Sequence, residues 1–132
     1  MFDESVIHGD LIYPDDDQFS SVRFKIRLPW YRSLTASCIE GIDVNIGGVE
    51  ANRDDVSLTL YGLTHKLDEV ARLSDVLWIV RDAVDVHVRT SKPLNPGPQD
   101  VKVVMRVRIP YSAGFNEIAI CEKRLTLVGR DY

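Results

Sequence analysis

Apolar and polar residues alternate with a period of two along most of this chain, and that constrains the fold more than any other feature. Val22, Phe24, Ile26 and Leu28 point one way while Arg23, Lys25 and Arg27 point the other. The pattern returns in Ile42, Val44 and Ile46, in Val56, Leu58 and Leu60, and in Val84, Val86 and Val88. Its longest run is Val101, Val103, Met105, Val107 and Ile109, with Lys102, Arg106 and Arg108 facing outward around Val104. Each segment predicts a strand buried on one face. Gly47-Gly48 supplies a tight hairpin, Asn52 to Asp55 a turn, and the proline-rich Ser91 to Pro98 a connection that excludes strand and helix. Helical spacing appears once, for about two turns between Leu67 and Leu73. The prediction is an all-β, antiparallel two-sheet β-sandwich with at most one short helix, built as a single domain over residues 1–132.

Three segments read less cleanly. Val6 to Tyr13 is a short apolar stretch interrupted by Gly9, and Leu63 to Lys66 extends the strand before it. Val76 to Val80 reads as a buried strand holding Trp78. In the last strand Ile118 and Ile120 occupy even positions but Leu125 and Leu127 odd ones, which predicts a bulge or bend near Glu122-Lys123.

With 45% apolar and 27% charged residues the chain has the balance of a soluble globular protein, long enough to bury a core without staples. A net charge of −4 argues against general nucleic-acid or anionic-membrane binding. The acidic start Met-Phe-Asp-Glu-Ser and the lack of a long apolar run predict a cytoplasmic protein. Cys38 and Cys121 make no metal spacing and read as two buried thiols.

Catalytic signatures are missing at the usual places. There is no glycine-rich phosphate loop, no nucleophile elbow and no pair of histidines at ligand spacing. His8, His65 and His87 read as separate surface or hydrogen-bonded histidines, and Asp15-Asp16-Asp17 as a solvated turn without the Gly and Glu of a calcium loop. Asp54, Asp55, Asp68, Glu69 and Asp82 read as loop carboxylates. The basic outer faces, Arg23, Lys25 and Arg27 on one strand and Lys102, Arg106 and Arg108 on another, are expected to pair with acidic neighbours such as Asp43 or Glu117 in preference to an acidic partner subunit. No catalytic and no metal-binding residue is assigned to this chain.

The residues that stand out are aromatic. Arg27 to Glu40 reads Arg-Leu-Pro-Trp-Tyr-Arg-Ser-Leu-Thr-Ala-Ser-Cys-Ile-Glu, a connection between strands carrying Trp30, Tyr31 and Arg32. These residue types dominate binding hot spots, since the rings offer much apolar area at low entropy cost and the guanidinium donates as a fixed fork. A second such loop, Pro110 to Asn116, carries Tyr111 and Phe115. Either Trp30 and Tyr31 fold back as a plug over the core, or the five residues form a substrate-binding or subunit-interface surface.

The same central stretch resembles the small β subunit of bacterial C-glycoside deglycosidases. The likeness extends over Ile42-Asp43-Val44, Tyr61-Gly62, Leu67-Asp68-Glu69, Trp78 and Val103 to Tyr111. It implies a subunit of a carbon–carbon lyase that cleaves the sugar–aglycone bond of flavonoid or related C-glycosides already oxidised to the 3-keto form. It also implies a larger α subunit, a TIM barrel resembling sugar-phosphate isomerases, which holds a divalent manganese or magnesium ion and the main catalytic residues. This chain would then be inactive alone and would carry no cofactor. The competing expectation is a free-standing carbohydrate-binding β-sandwich module; a small self-sufficient hydrolase is a third.

Overall fold

A computed structural model describes residues 5–111 and 116–129. Eleven strands are present: β1 (Ile7–Pro14), β2 (Ser21–Ile26), β3 (Leu34–Thr35), β4 (Ile39–Ile46), β5 (Val49–Glu50), β6 (Val56–Leu60), β7 (Leu63–Lys66), β8 (Leu77–Trp78), β9 (Val84–Arg89), β10 (Gly97–Arg108) and β11 (Asn116–Leu127). Among the described residues one α-helix, α1 (Leu67–Val70), follows β7, and helical turns continue to Leu73 through the Leu73 N–H to Val70 carbonyl bond.

Nine strands form a single sheet in the order β5-β4-β10-β11-β1-β2-β9-β6-β7, and β3 pairs with β8 in a small second sheet. The large sheet curls into two layers that enclose one cluster of buried side chains, so the expected two-layer architecture holds. The layers meet at β1. Its ends pair antiparallel with β2, while Leu11 and Ile12 pair parallel with Thr126 and Leu127 of β11. Its pairing with β2 is irregular between His8 and Tyr13, the stretch holding Gly9 at φ +84°, and this lets one strand serve both layers.

The alternation delivers the core as read. Val22, Phe24 and Ile26 of β2, Val86 and Val88 of β9, and Val101, Val103, Met105 and Val107 of β10 are all buried. Trp78 is fully buried and its indole N–H donates to the Asp82 carbonyl at 3.0 Å, so the polar end of the ring is satisfied. Cys38 and Cys121 are buried free thiols. Gly47-Gly48 and Tyr61-Gly62 both take positive φ at two successive residues, the backbone of a tight two-residue hairpin.

Four expectations are corrected. Leu63–Lys66 does not prolong β6 but returns antiparallel to it through the Tyr61-Gly62 turn. The strand holding Trp78 is only Leu77–Trp78, pairing with Leu34–Thr35. Gly97 and Pro98 belong to β10, where β4 has not yet joined and the strand has β11 as its only neighbour, a place that tolerates proline. Finally, β11 has no bulge: its register with β10 is unbroken from Gly97↔Leu127 to Arg108↔Asn116. The inward set is Ala119, Cys121, Lys123, Leu125 and Leu127, and Lys123 reaches out to Asp10 at 3.3 Å. Ile118 and Ile120 lie on the outer surface, 56% and 49% exposed. The irregularity beside β10 lies in β4, where pairing steps from Gly41 to Ile39 and leaves Glu40 as the extra residue.

Candidate functional site

Strand pairing brings one set of loops to a common end of the sandwich. Ile26, at the end of β2, pairs with Val84 at the start of β9 and with Ile7 at the start of β1, and β6 finishes beside them. Because β11 runs parallel to β1, the tip beyond β10 lies at this end too. The segment after β2 and the residues that follow β10 therefore meet, although they are far apart in sequence.

The segment after β2 is strapped down on its far side. Val80 donates its amide to Ser33 Oγ at 2.8 Å, and the amides of Ala36 and Ser37 donate to the carbonyls of Val76 and Leu73. Leu28, Pro29 and Leu34 are buried, which leaves 30–32 as the raised part. Trp30 is half-buried and packs against the core, while Tyr31 is 57% exposed. Trp30 thus turns partly inward while its neighbour Tyr31 stands outward.

Four of the five singled-out residues come together here. Trp30 Nε1 donates to the Tyr111 hydroxyl at 2.5 Å, and that hydroxyl lies 3.4 Å from the hydroxyl of Tyr31. The Trp30 and Tyr31 rings sit 5.0 Å apart at 43°. The Arg32 guanidinium lies over the Tyr111 ring, 4.8 Å from its centre, a contact worth about 0.5–1 kcal/mol at an exposed site. Phe115 lies outside the described residues. Electrostatics separates the two phenols. Tyr31 is raised, first by its hydrogen bond with Tyr111. For Tyr111, desolvation pushes upward, but its hydrogen bonds with Tyr31 and Trp30 and its interactions with Arg32 outweigh it, and its phenol is lowered. The cluster presents a guanidinium and two hydroxyls on half-exposed rings.

Of the six residues on the basic faces, four make ion pairs among the described residues and Arg27 and Arg108 do not. Arg23 meets Asp15 at 2.7 Å, Lys25 meets Asp85 at 2.8 Å, Lys102 meets Glu122 at 3.8 Å and Arg106 meets Asp43 at 2.7 Å. Such exposed pairs contribute about 0–1 kcal/mol each and chiefly set the local charge pattern.

One constellation was not legible in the sequence. His87 Nδ1 donates to Asp15 Oδ2 at 2.9 Å, and its Nε2 accepts from the Thr59 hydroxyl at 2.8 Å. The order carboxylate, imidazole, hydroxyl is that of a nucleophile relay. Here it is a brace. Thr59 is also 2.7 Å from Thr64 Oγ1, and β6 is paired on both sides, so its amides serve the ladder and none is free to hold an oxyanion. Among the described residues no three His, Cys, Asp or Glu converge to hold a metal ion. No helix among them is long and apolar enough to cross a membrane.

The chain is all-β, and its most distinctive surface feature is the bridged aromatic–arginine cluster. Comparison of sequences is specific: over residues 2–111 the chain matches, and belongs to, the C-glycoside deglycosidase beta subunit family. It is 30% identical over 91 residues to a C-glycoside deglycosidase beta subunit of Arthrobacter globiformis, covering 68% of this chain and 69% of that one. It is 32% identical over 111 residues to the 3'-dehydrocarminate deglycosidase beta subunit of a Microbacterium species, covering 84% and 81%.

Proposed function

We propose that this chain is the accessory β subunit of a cytoplasmic C-glycoside deglycosidase built from two kinds of subunit, and that Trp30, Tyr31, Arg32 and Tyr111 contact the larger one at or beside its active-site mouth. The observation that carries this reading is the Trp30–Tyr111–Tyr31–Arg32 cluster, pre-organised across two loops yet exposed at its rim. Pre-organisation lowers the entropy lost on docking, and a standard interface of about 800 Å² per side needs this cluster plus neighbouring surface.

In this reading the complex is a carbon–carbon lyase. The 3-keto group of an oxidised C-glycoside acidifies a neighbouring C–H, a base removes that proton, and elimination forms a carbon–carbon double bond in the sugar while the aglycone leaves with the electron pair of the C–C bond and takes up a proton. Catalytic residues and a divalent manganese or magnesium ion are assigned to the larger subunit, a barrel resembling sugar-phosphate isomerases. A free-standing sugar-binding module fits the cluster less well. Arg32 covers one face of the Tyr111 ring and Trp30 packs beside Tyr31, so the faces on which a sugar would stack are engaged.

The test is to measure Tyr31→Ala and Arg32→Ala for melting of the lone chain and for affinity to the larger subunit. Melting should be unchanged and affinity should fall by about 2 kcal/mol, roughly 30-fold. Unchanged affinity would overturn the docking assignment. Turnover of a 3-keto C-glycoside by the lone chain, free of other proteins, would overturn the accessory role.

A further inference from the structure

The outer face of the layer formed by β1, β2, β9 and β6 carries a row of polar side chains to which the docking cluster gives no role. His8 lies opposite Lys25, Lys25 opposite Asp85, and Asp85 opposite Thr59. Close to the loop-bearing end, this row becomes the floor of a cleft of about 450 Å³. Its wall is the Tyr61-Gly62 turn together with residues 81–83 between β8 and β9. That wall is braced. The Tyr61 hydroxyl accepts from the Ile79 amide at 2.9 Å and donates to Asp82 Oδ2 at 2.8 Å.

The charges of the cleft do not cancel. Asp85 is paired with Lys25 at 2.8 Å, and Asp82 keeps its negative charge while accepting from the Tyr61 hydroxyl, so the cations Lys25, Arg27 and Arg81 outnumber the two carboxylates by one. Arg27 and Arg81 also border the cleft and have no carboxylate partner among the described residues. The Nε of Arg27 is buried without a hydrogen-bond partner among them, a donor that costs free energy until an acceptor reaches it. His8 senses the same excess of positive charge. Desolvation first, then Arg27, Lys123 and Lys25, hold its imidazole below the ordinary histidine value.

A cleft of similar size at the opposite end makes the contrast. About 470 Å³ in volume, it is bordered by Lys102, Glu122, Asp100, Lys123 and Arg124, and there each charge has an ion-pair partner: Arg124 with Asp100 at 2.9 Å, Lys102 with Glu122 at 3.8 Å, and Lys123 with Asp10, outside the cleft, at 3.3 Å. Of the two, the first cleft alone combines an unmatched pair of guanidinium groups with an unused buried donor.

We infer that this first cleft is an oxyanion site, in which Arg27 and Arg81 receive the phosphate or carboxylate group of a small molecule over the floor set by His8 and Lys25. Guanidinium suits the task because its planar fork donates two parallel hydrogen bonds to one oxyanion, and two such groups favour a dianion over a monoanion. None of Trp30, Tyr31, Arg32 and Tyr111 lines this cleft, and the inference does not depend on the lyase reading.

The probe is inorganic phosphate, titrated into the full chain at constant ionic strength held with chloride and followed by nitrogen–proton spectra that include the arginine Nε–H groups. Saturable shifts are expected at Arg27 Nε–H and at the amides of 79–83. The His8 titration midpoint should move upward at saturation, because bound anion offsets the cations that hold it down. Arg27→Gln should weaken phosphate at least tenfold, and Arg124→Gln, at the other end, should leave it unchanged. If Arg27→Gln does not fold, Arg81→Gln on the exposed loop carries the same expectation. Acetate run in parallel should bind more weakly than phosphate. Shifts that never saturate, a His8 midpoint that stays in place, or phosphate binding undiminished in the arginine variant would overturn the site.

Discussion

The indole N–H of Trp30 donates to the hydroxyl of Tyr111 at 2.5 Å, and this bond, with the contacts of Tyr31 and Arg32 to the same tyrosine, ties the segment after β2 to the tip beyond β10. Trp30→Phe and Tyr111→Phe each remove the bond while keeping most of the ring. Each should destabilise the lone chain by about 0.5–1.5 kcal/mol in urea unfolding. The double variant should cost about 0.5–1 kcal/mol less than the sum of the singles, because both delete the same interaction. Strict additivity would show that the bond contributes nothing.

Ile118 and Ile120 are outward residues in an unbroken strand, opposite Arg106 and Val104. Ile118→Thr and Ile120→Thr should therefore change stability by no more than about 0.5 kcal/mol. Leu125→Ala, at a fully buried position of the same strand, should cost about 2–5 kcal/mol. Equal losses at the three sites would mean that the register is wrong.

Tyr61 holds a positive φ of 50°, unusual for a bulky residue, and its hydroxyl braces the loop before β9 through Ile79 and Asp82. In Tyr61→Phe the Ile79 amide loses its acceptor. Hydrogen exchange at Ile79 should accelerate about tenfold or more while the core amides of β10 keep their rates. Unaltered exchange at Ile79 would refute the brace.

Asp16 accepts from the Ser20 hydroxyl at 2.8 Å and from the Ser20 amide at 3.1 Å, and the side-chain bond chiefly holds its carboxyl below the ordinary aspartate value. A carboxylate lowered in the folded state stabilises fully above its unfolded pKa, and that contribution is lost as pH falls through the folded value. Asp16→Asn should thus lower the melting temperature at neutral pH and converge with the parent chain under strongly acidic conditions. A difference that persists or grows as pH falls would be the wrong sign.

The strands β2, β6, β9 and β10 and the inward set from Val101 to Ile109 were legible because alternation is a local property: a half-buried strand needs an apolar residue at every second position whatever it pairs with. The Gly47-Gly48 hairpin and the helical turns from Leu67 to Leu73 were legible for the same reason, each written in a few adjacent residues. The aromatic candidates were legible as types, since Trp30, Tyr31, Arg32 and Tyr111 are costly to leave without partners. Their mutual geometry was not.

Tertiary structure alone decided which strands are neighbours, and the misread strand shows why. In β11 the inward series contains Lys123, which escapes to Asp10, while the outward series contains Ile118 and Ile120. By pattern the apolar residues change phase; only twelve continuous pairs with β10 show that the backbone does not. The brace of His87 and Asp15, 72 positions apart, and the bond of Trp30 to Tyr111, 81 apart, have no local signature at all. Sequence periodicity tells a side chain which face it is on, but a contact between faces or loops depends on sheet order. That order is set by the summed burial of the whole core and by a single shared strand, β1, joining the two layers.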